Sequence, residues 1–140
     1  MASVKGVNFT NITADPVVNA DSSEWSGKLR VQYDTFEASS LASGSDISVA
    51  RLPSGAKVYD VAIHHDALGS GVTLAVGDSA DADRYITATA AASAGVISMH
   101  NDGAIGGVGF EQTAETDILI TTGGAAATGT IKCMVFYTVE

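Results

Sequence analysis

Between Leu52 and Ile86 the chain reads LPSGAKVYDVAIHHDALGSGVTLAVGDSADADRYI, with apolar and polar residues alternating and Gly and Asp turns cutting the run. Successive side chains of a strand face opposite sides, so alternation of this kind marks a sheet buried on one face. Val58, Val61 and Ile63, then Val72, Leu74 and Val76, are the residues that point to it. No catalytic or metal-ligand constellation interrupts the run. A chain with this pattern is held to a β scaffold, and its function to shape and surface.

The same reading extends to both sides. Leu29, Val31 and Tyr33 alternate with Arg30, Gln32 and Asp34, and a Ser-rich connection from Ala38 to Ser45 leads to Ile47 and Val49. Pro53-Ser54-Gly55 turns into a strand at Lys57–His65, and Gly69-Ser70-Gly71 into one at Val72–Val76. After an Asp78–Asp83 loop, short strands are predicted at Arg84–Thr87 and Gly95–Met99. Gly103–Gly109 is a turn region, Asp117–Thr122 a strand, and Gly129–Val139 the longest apolar run. Only Thr87–Ala94 has any helical character, and its Thr and Ser content makes that marginal. About eight strands with turns at this spacing predict an all-β, antiparallel jelly-roll sandwich. A lipocalin-like barrel would need longer, more uniform strands.

A chain of 140 residues fits one domain, and at that size roughly 68% of the unfolded surface is buried, enough for a core without staples. Aromatic residues make up 6% of the chain against 46% hydrophobic residues overall, so the core is aliphatic. The single cysteine, Cys133, has no partner for an internal disulfide and sits in an apolar strand, where a thiol acts as a small hydrophobe.

Residues 1–25 differ from the domain at 26–140. They contain Pro16 and end in a Ser-Ser-Glu turn before Trp25, and Val7, Phe9, Ile12, Val17 and Val18 are spaced for an extended segment. A mobile tail would carry more charge and fewer large apolar side chains. An extended N-terminal arm laid along another surface is therefore expected, with Phe9, Ile12, Val17, Val18 and Trp25 as its interface anchors. An extra edge strand is the alternative.

The net charge of −9 opposes contact with phosphate backbones and anionic membranes. The cations Lys28, Arg30, Arg51, Lys57, Arg84 and Lys132 form no block in the sequence. No stretch reaches the ~20 apolar residues of a membrane helix, and the N-terminus has no signal-peptide core, so a soluble protein made in the cytoplasm is expected.

Candidate chemistry is sparse. His64-His65-Asp66 is the one ligand-capable cluster, but adjacent strand residues diverge, and nothing places His100 beside them. Asp78, Asp81 and Asp83 lack the spacing of a calcium loop and suit Asx turns. The Gly103–Gly109 glycines lead into Phe110-Glu111-Gln112-Thr113 rather than a helix, which argues against a dinucleotide site. Asn8 and Asn11 match the glycosylation pattern but lack a secretion signal. No catalytic, cofactor or metal site is expected, and the chain reads as a non-enzyme.

Leu52-Pro53-Ser54-Gly55-Ala56, Asp66-Ala67-Leu68-Gly69, Thr73-Leu74-Ala75-Val76-Gly77 and Asp83-Arg84-Tyr85 resemble a stretch of small virion proteins of tailed bacteriophages. With the size, charge and closing strand, the chain is similar to capsid cement (decoration) proteins of short-tailed phages, that of a Bordetella phage among them. The resemblance implies a jelly roll on the outer surface of an icosahedral head, bridging major capsid protein subunits, with a homodimer favoured over a trimer. It carries over no functional residues. The rivals are a receptor-binding module of a tail spike or fibre, for which one Trp and four Tyr offer few sugar platforms, another virion structural β module, and a metal-dependent cupin enzyme.

Overall fold

The computed structural model of the protein describes residues 2–103 and 105–140. Eight strands follow a short N-terminal helix, α1 (Val7–Ile12): β1 (Arg30–Leu41), β2 (Asp46–Leu52), β3 (Ala56–His65), β4 (Thr73–Gly77), β5 (Ile86–Ala90), β6 (Gly95–Ser98), β7 (Thr116–Gly123) and β8 (Ala127–Val139). A single helical turn, α2 (Met99–Asp102), and a 3-10 turn at Ile105–Gly107 lie between β6 and β7.

The strands form two four-stranded antiparallel sheets in the orders β1-β8-β3-β6 and β2-β7-β4-β5. Apart from the β4–β5 pair, which stays within one sheet, consecutive strands alternate between the sheets, a jelly-roll path. β8 lies between β1 and β3, with Arg30 opposite Tyr137 and His65 opposite Ile131. This central position explains why β8 is the longest strand and the most regular alternation: Ile131, Cys133, Val135 and Tyr137 all turn into the core.

Val58, Val61 and Ile63 of β3 meet Leu74 and Val76 of β4 and Ile118 and Ile120 of β7 in that core, all without solvent exposure. Each such side chain contributes about 1.5–3 kcal/mol relative to staying exposed. The β7–β8 turn depends on Gly124, at φ +79, where a Cβ would overlap the Gly71 carbonyl oxygen.

Three local expectations change. β1 runs on to Leu41 instead of ending in a Ser-rich connection at Ala38, because a register shift between Ala38 and Leu41, with Ser40 at φ 48, lets it stay on β8. β5 begins at Ile86 rather than Arg84 and continues through Ala90, so the marginal helical stretch is partly strand. Arg84 is drawn into an ion pair with Asp78 instead. Within the N-terminal segment, Val7–Ile12 is helical rather than extended, with Thr10 N–H on the Gly6 carbonyl at 2.9 Å.

Candidate functional site

The N-terminal segment has two physically different halves. Asp21–Trp25 is fastened to the sandwich. Asp21 Oδ1 accepts the Ser23 N–H at 2.8 Å and the Ser23 hydroxyl at 2.6 Å, folding a tight turn. That turn aims the Ser23 carbonyl at the sheet, where it accepts from Thr138 Oγ1 at 2.7 Å and Tyr59 O–H at 3.1 Å.

Beneath the turn stands Lys57, a cation with a side chain only 6% exposed. Its Nζ donates to Asp21 Oδ2 at 2.8 Å and Glu24 Oε1 at 2.7 Å, with Glu111 at 3.7 Å. A buried ammonium persists only when paired and hydrogen-bonded, and these three carboxylates meet that need. Burial alone would push the Lys57 ammonium down, but its bonds to Asp21 and Glu24 outweigh this and raise it. The bond from Lys57, then those from Ser23, hold Asp21 down at about 2, and Lys57 likewise lowers Glu24.

Residues 2–20 are held far more lightly. α1 buries none of its side chains and is tied to the Asp21–Trp25 turn and Lys57, which together form a clasp, by Asn8 Nδ2 donating to Glu24 Oε2 at 2.8 Å. Phe9 meets Trp25 edge-on at 6.4 Å between ring centres, and the Lys5 ammonium lies 5.6 Å from the Phe9 ring. Of the expected anchors, the structure brings Phe9 and Trp25 together. Val17, Val18 and Trp25 remain 64%, 51% and 42% exposed, and Ile12 is half-buried. Apolar groups thus stay in water beside a polar clasp.

The chain is similar to capsid chains of bacteriophages. A chain in the cyanophage Pam1 capsid asymmetric unit is 26% identical with a TM-score of 0.66, over 81% of this chain and 86% of that one. A chain in the capsid of Ralstonia phage GP4 is 18% identical with a TM-score of 0.64, over 81% and 86%. One in the acid-stable capsid of Helicobacter pylori bacteriophage KHP30 is 14% identical with a TM-score of 0.59, over 81% and 90%. The latter two share the fold. No protein-family model and no curated protein matches the chain.

The other candidate residues take local roles. His65 is buried and donates from Nδ1 to the Asp66 carbonyl at 2.8 Å, while His64 is exposed beside Lys132 in a shallow groove. His100 lies in α2, and the described residues hold no group of three or more His, Cys, Asp or Glu placed for a metal. Asp78 Oδ1 accepts from the Ala80 and Asp81 N–H groups at 3.0 Å each, an Asx turn. Its other oxygen takes Arg84 Nε at 2.7 Å and Gln112 Nε2 at 3.0 Å. Burial would raise the Asp78 carboxyl, but Arg84, Gln112 and the two backbone donors hold it low. Burial pushes the Cys133 thiol up to about 12, so it stays protonated and unreactive.

The clasp escaped sequence reading because Lys57 lies 33 and 36 residues from its partners. β3 also carries Asp60, His64 and His65, so Lys57 reads there as one more polar residue of an alternating strand.

Proposed function

We propose that the chain is a capsid cement (decoration) protein, binding the outer surface of a phage head across major capsid protein junctions. The similarity to chains of three phage capsids supports a structural role in a virion. The carrying observation is the N-terminal segment: Lys57 pins its base, while Phe9, Val17, Val18 and Trp25 stay open to solvent.

Physical scale favours this use. A specific interface buries roughly 1,200–2,000 Å², more than a small sandwich readily offers to several neighbours. The N-terminal segment adds the exposed side chains of Phe9, Val17, Val18 and Trp25 to that area, and aromatic anchors supply much of the binding energy. Repetition over a shell multiplies a modest gain per copy. The likeness to the Bordetella phage cement protein and the homodimer belong to this same reading.

Removing residues 2–20 keeps the clasp and tests the idea. The shortened chain is expected to fold and to lose binding to heads purified without this protein, measured by co-sedimentation. Unchanged affinity overturns the role of the segment. Antibody labelling of intact particles tests the outer placement, and absence of labelling overturns it.

A further inference from the structure

The two sheets present unlike outer faces. On β2-β7-β4-β5, outward residues are largely polar and satisfy one another: Arg51 Nε donates to Asp117 at 2.6 Å, and Thr121 Oγ1 donates to Asp46 at 2.7 Å. That is the ordinary outer surface of a sandwich, apolar within and polar without.

The β1-β8-β3-β6 sheet departs from the pattern. Register places Val31 opposite Phe136, and Phe136 opposite Asp60; Tyr33 stands opposite Met134, and Met134 opposite Ala62. Since Val58, Val61 and Ile63 turn inward, these rows face out. Leu29, Val31 and Tyr33 are 60%, 56% and 57% exposed, and Val96 on β6 is 57% exposed. Asp21–Trp25 covers one end of the same face, over Lys57 and Thr138, and stops there.

Charge is distributed unevenly around this apolar centre. Arg51, Lys57 and Arg84 are each in ion pairs. Lys132, on this face opposite Thr35, makes no ion pair among the described residues, nor does Lys28, next to Leu29 just before β1. In a chain of net charge −9, this apolar face thus carries Lys132 as a cation without a carboxylate partner, with Lys28 next to Leu29 at its β1 edge.

We propose that the outer face of the β1-β8-β3-β6 sheet docks onto a capsid-protein surface with an apolar centre and a carboxylate rim. The partner's identity rests on the virion reading above; its chemistry follows from the face. Exposed apolar area of this kind marks protein contact, and complementary rim charges set orientation and on-rate. A second copy fits less well. A two-fold contact sets like face on like face, bringing cations together, while the carboxylates there are either half-buried, as in Asp60, or held, as Glu37 is by Thr130.

The test uses heads of the parent phage purified without this protein, incubated with the full chain and its variants. Tyr33→Glu is expected to weaken binding at least tenfold. Lys132→Glu is expected to weaken it and flatten its dependence on salt. Ser48→Glu, on the opposite sheet's outer face, is expected to bind as the wild type does. If Tyr33→Glu fails to fold, Tyr33→Ser removes the apolar area without adding charge and carries the same expectation of weaker binding.

Wild-type binding by the folded Tyr33 and Lys132 variants overturns this docking; if deletion of residues 2–20 still abolishes binding, the virion reading survives. A wild-type chain that ignores the heads overturns both. A Tyr33 variant that changes the sedimentation of the free chain identifies a contact between copies, and also overturns the proposal.

Discussion

The side-chain amide of Gln32 makes both backbone hydrogen bonds of Arg51: Nε2 donates to the Arg51 carbonyl at 2.7 Å, and Oε1 accepts the Arg51 N–H at 2.9 Å. Gln32 lies on β1 and Arg51 on β2, edge strands of opposite sheets, so one side chain stands in for a strand neighbour where the sandwich is open. Its Nε2 also reaches Tyr137 Oη at 3.0 Å. Gln32→Leu keeps the bulk and removes every partner; a loss of about 1–2 kcal/mol is expected in denaturant unfolding. Gln32→Glu keeps an acceptor for the Arg51 N–H and loses the donor, so its loss is expected to be smaller. Equal midpoints for all three chains would show that the seam needs no such bridge.

Asp78 holds the β4–β5 connection from inside. Its carboxylate side chain is 2% exposed and pairs with Arg84, itself 3.9 Å from the centre of the Phe110 ring. Asp78→Ala leaves the guanidinium and two backbone N–H groups without their acceptor. A loss of about 3 kcal/mol or more is expected, the range for breaking a buried pair from one side. The Asp83→Ala change, at an exposed loop position, is expected to stay within about 0.5 kcal/mol.

Acid should open the clasp. Asp21 sits at about 2 in the folded chain against an ordinary value of about 3.9. A carboxyl lowered on folding stabilises above its unfolded value and stops doing so as pH falls through its folded one. The attachment of the segment is therefore expected to hold down to pH near 4 and to weaken towards 2. Trp25 is the single tryptophan and reports on this directly by fluorescence. Asp21→Asn should move the change to higher pH, through Glu24 alone. An emission spectrum flat from pH 5 to 2 would contradict the clasp.

Two glycines with nearly the same backbone separate strain from collision. Gly44 at φ +83 has nothing within 4 Å of a built Cβ, whereas at Gly124, φ +79, the Cβ meets the Gly71 carbonyl. Gly44→Ala is expected to cost about 1 kcal/mol, the conformational term. Gly124→Ala adds the overlap and is expected to destabilise by several times as much. Similar melting temperatures for the two variants would show that the β7–β8 turn yields freely.

The strands were legible wherever one face is buried and the other wet. Lys57–His65, Asp117–Thr122 and Gly129–Val139 each lie within an observed strand, because alternation and glycine turns encode both period and ends. β1 shows what alternation omits. It sets the period of Leu29, Val31 and Tyr33 but does not say which set faces the core, and Phe36 and Ala38 of the other set take that place. Val7–Ile12 lacks tertiary burial, so the spacing of its apolar residues reported no packing at all. The clasp and the Gln32 bridge join residues distant in sequence, and a single sequence carries no sign of such meetings. Phe9 and Trp25 were legible as large apolar groups in a polar stretch, although not as neighbours.

Pairing of the first strand with the last brings Ser22, in the fastened turn, and Glu140 to one pole. Ser22 Oγ lies 3.5 Å from Glu140 Oε1, beside the clasp. Leu41 stands opposite Ala127 at the other pole, roughly 36 Å away along β1 at about 3.3 Å per residue. A reporter or antigen placed beside Glu140 would crowd the segment proposed for attachment, whereas one inserted at Ala42–Gly44 would project from the far end.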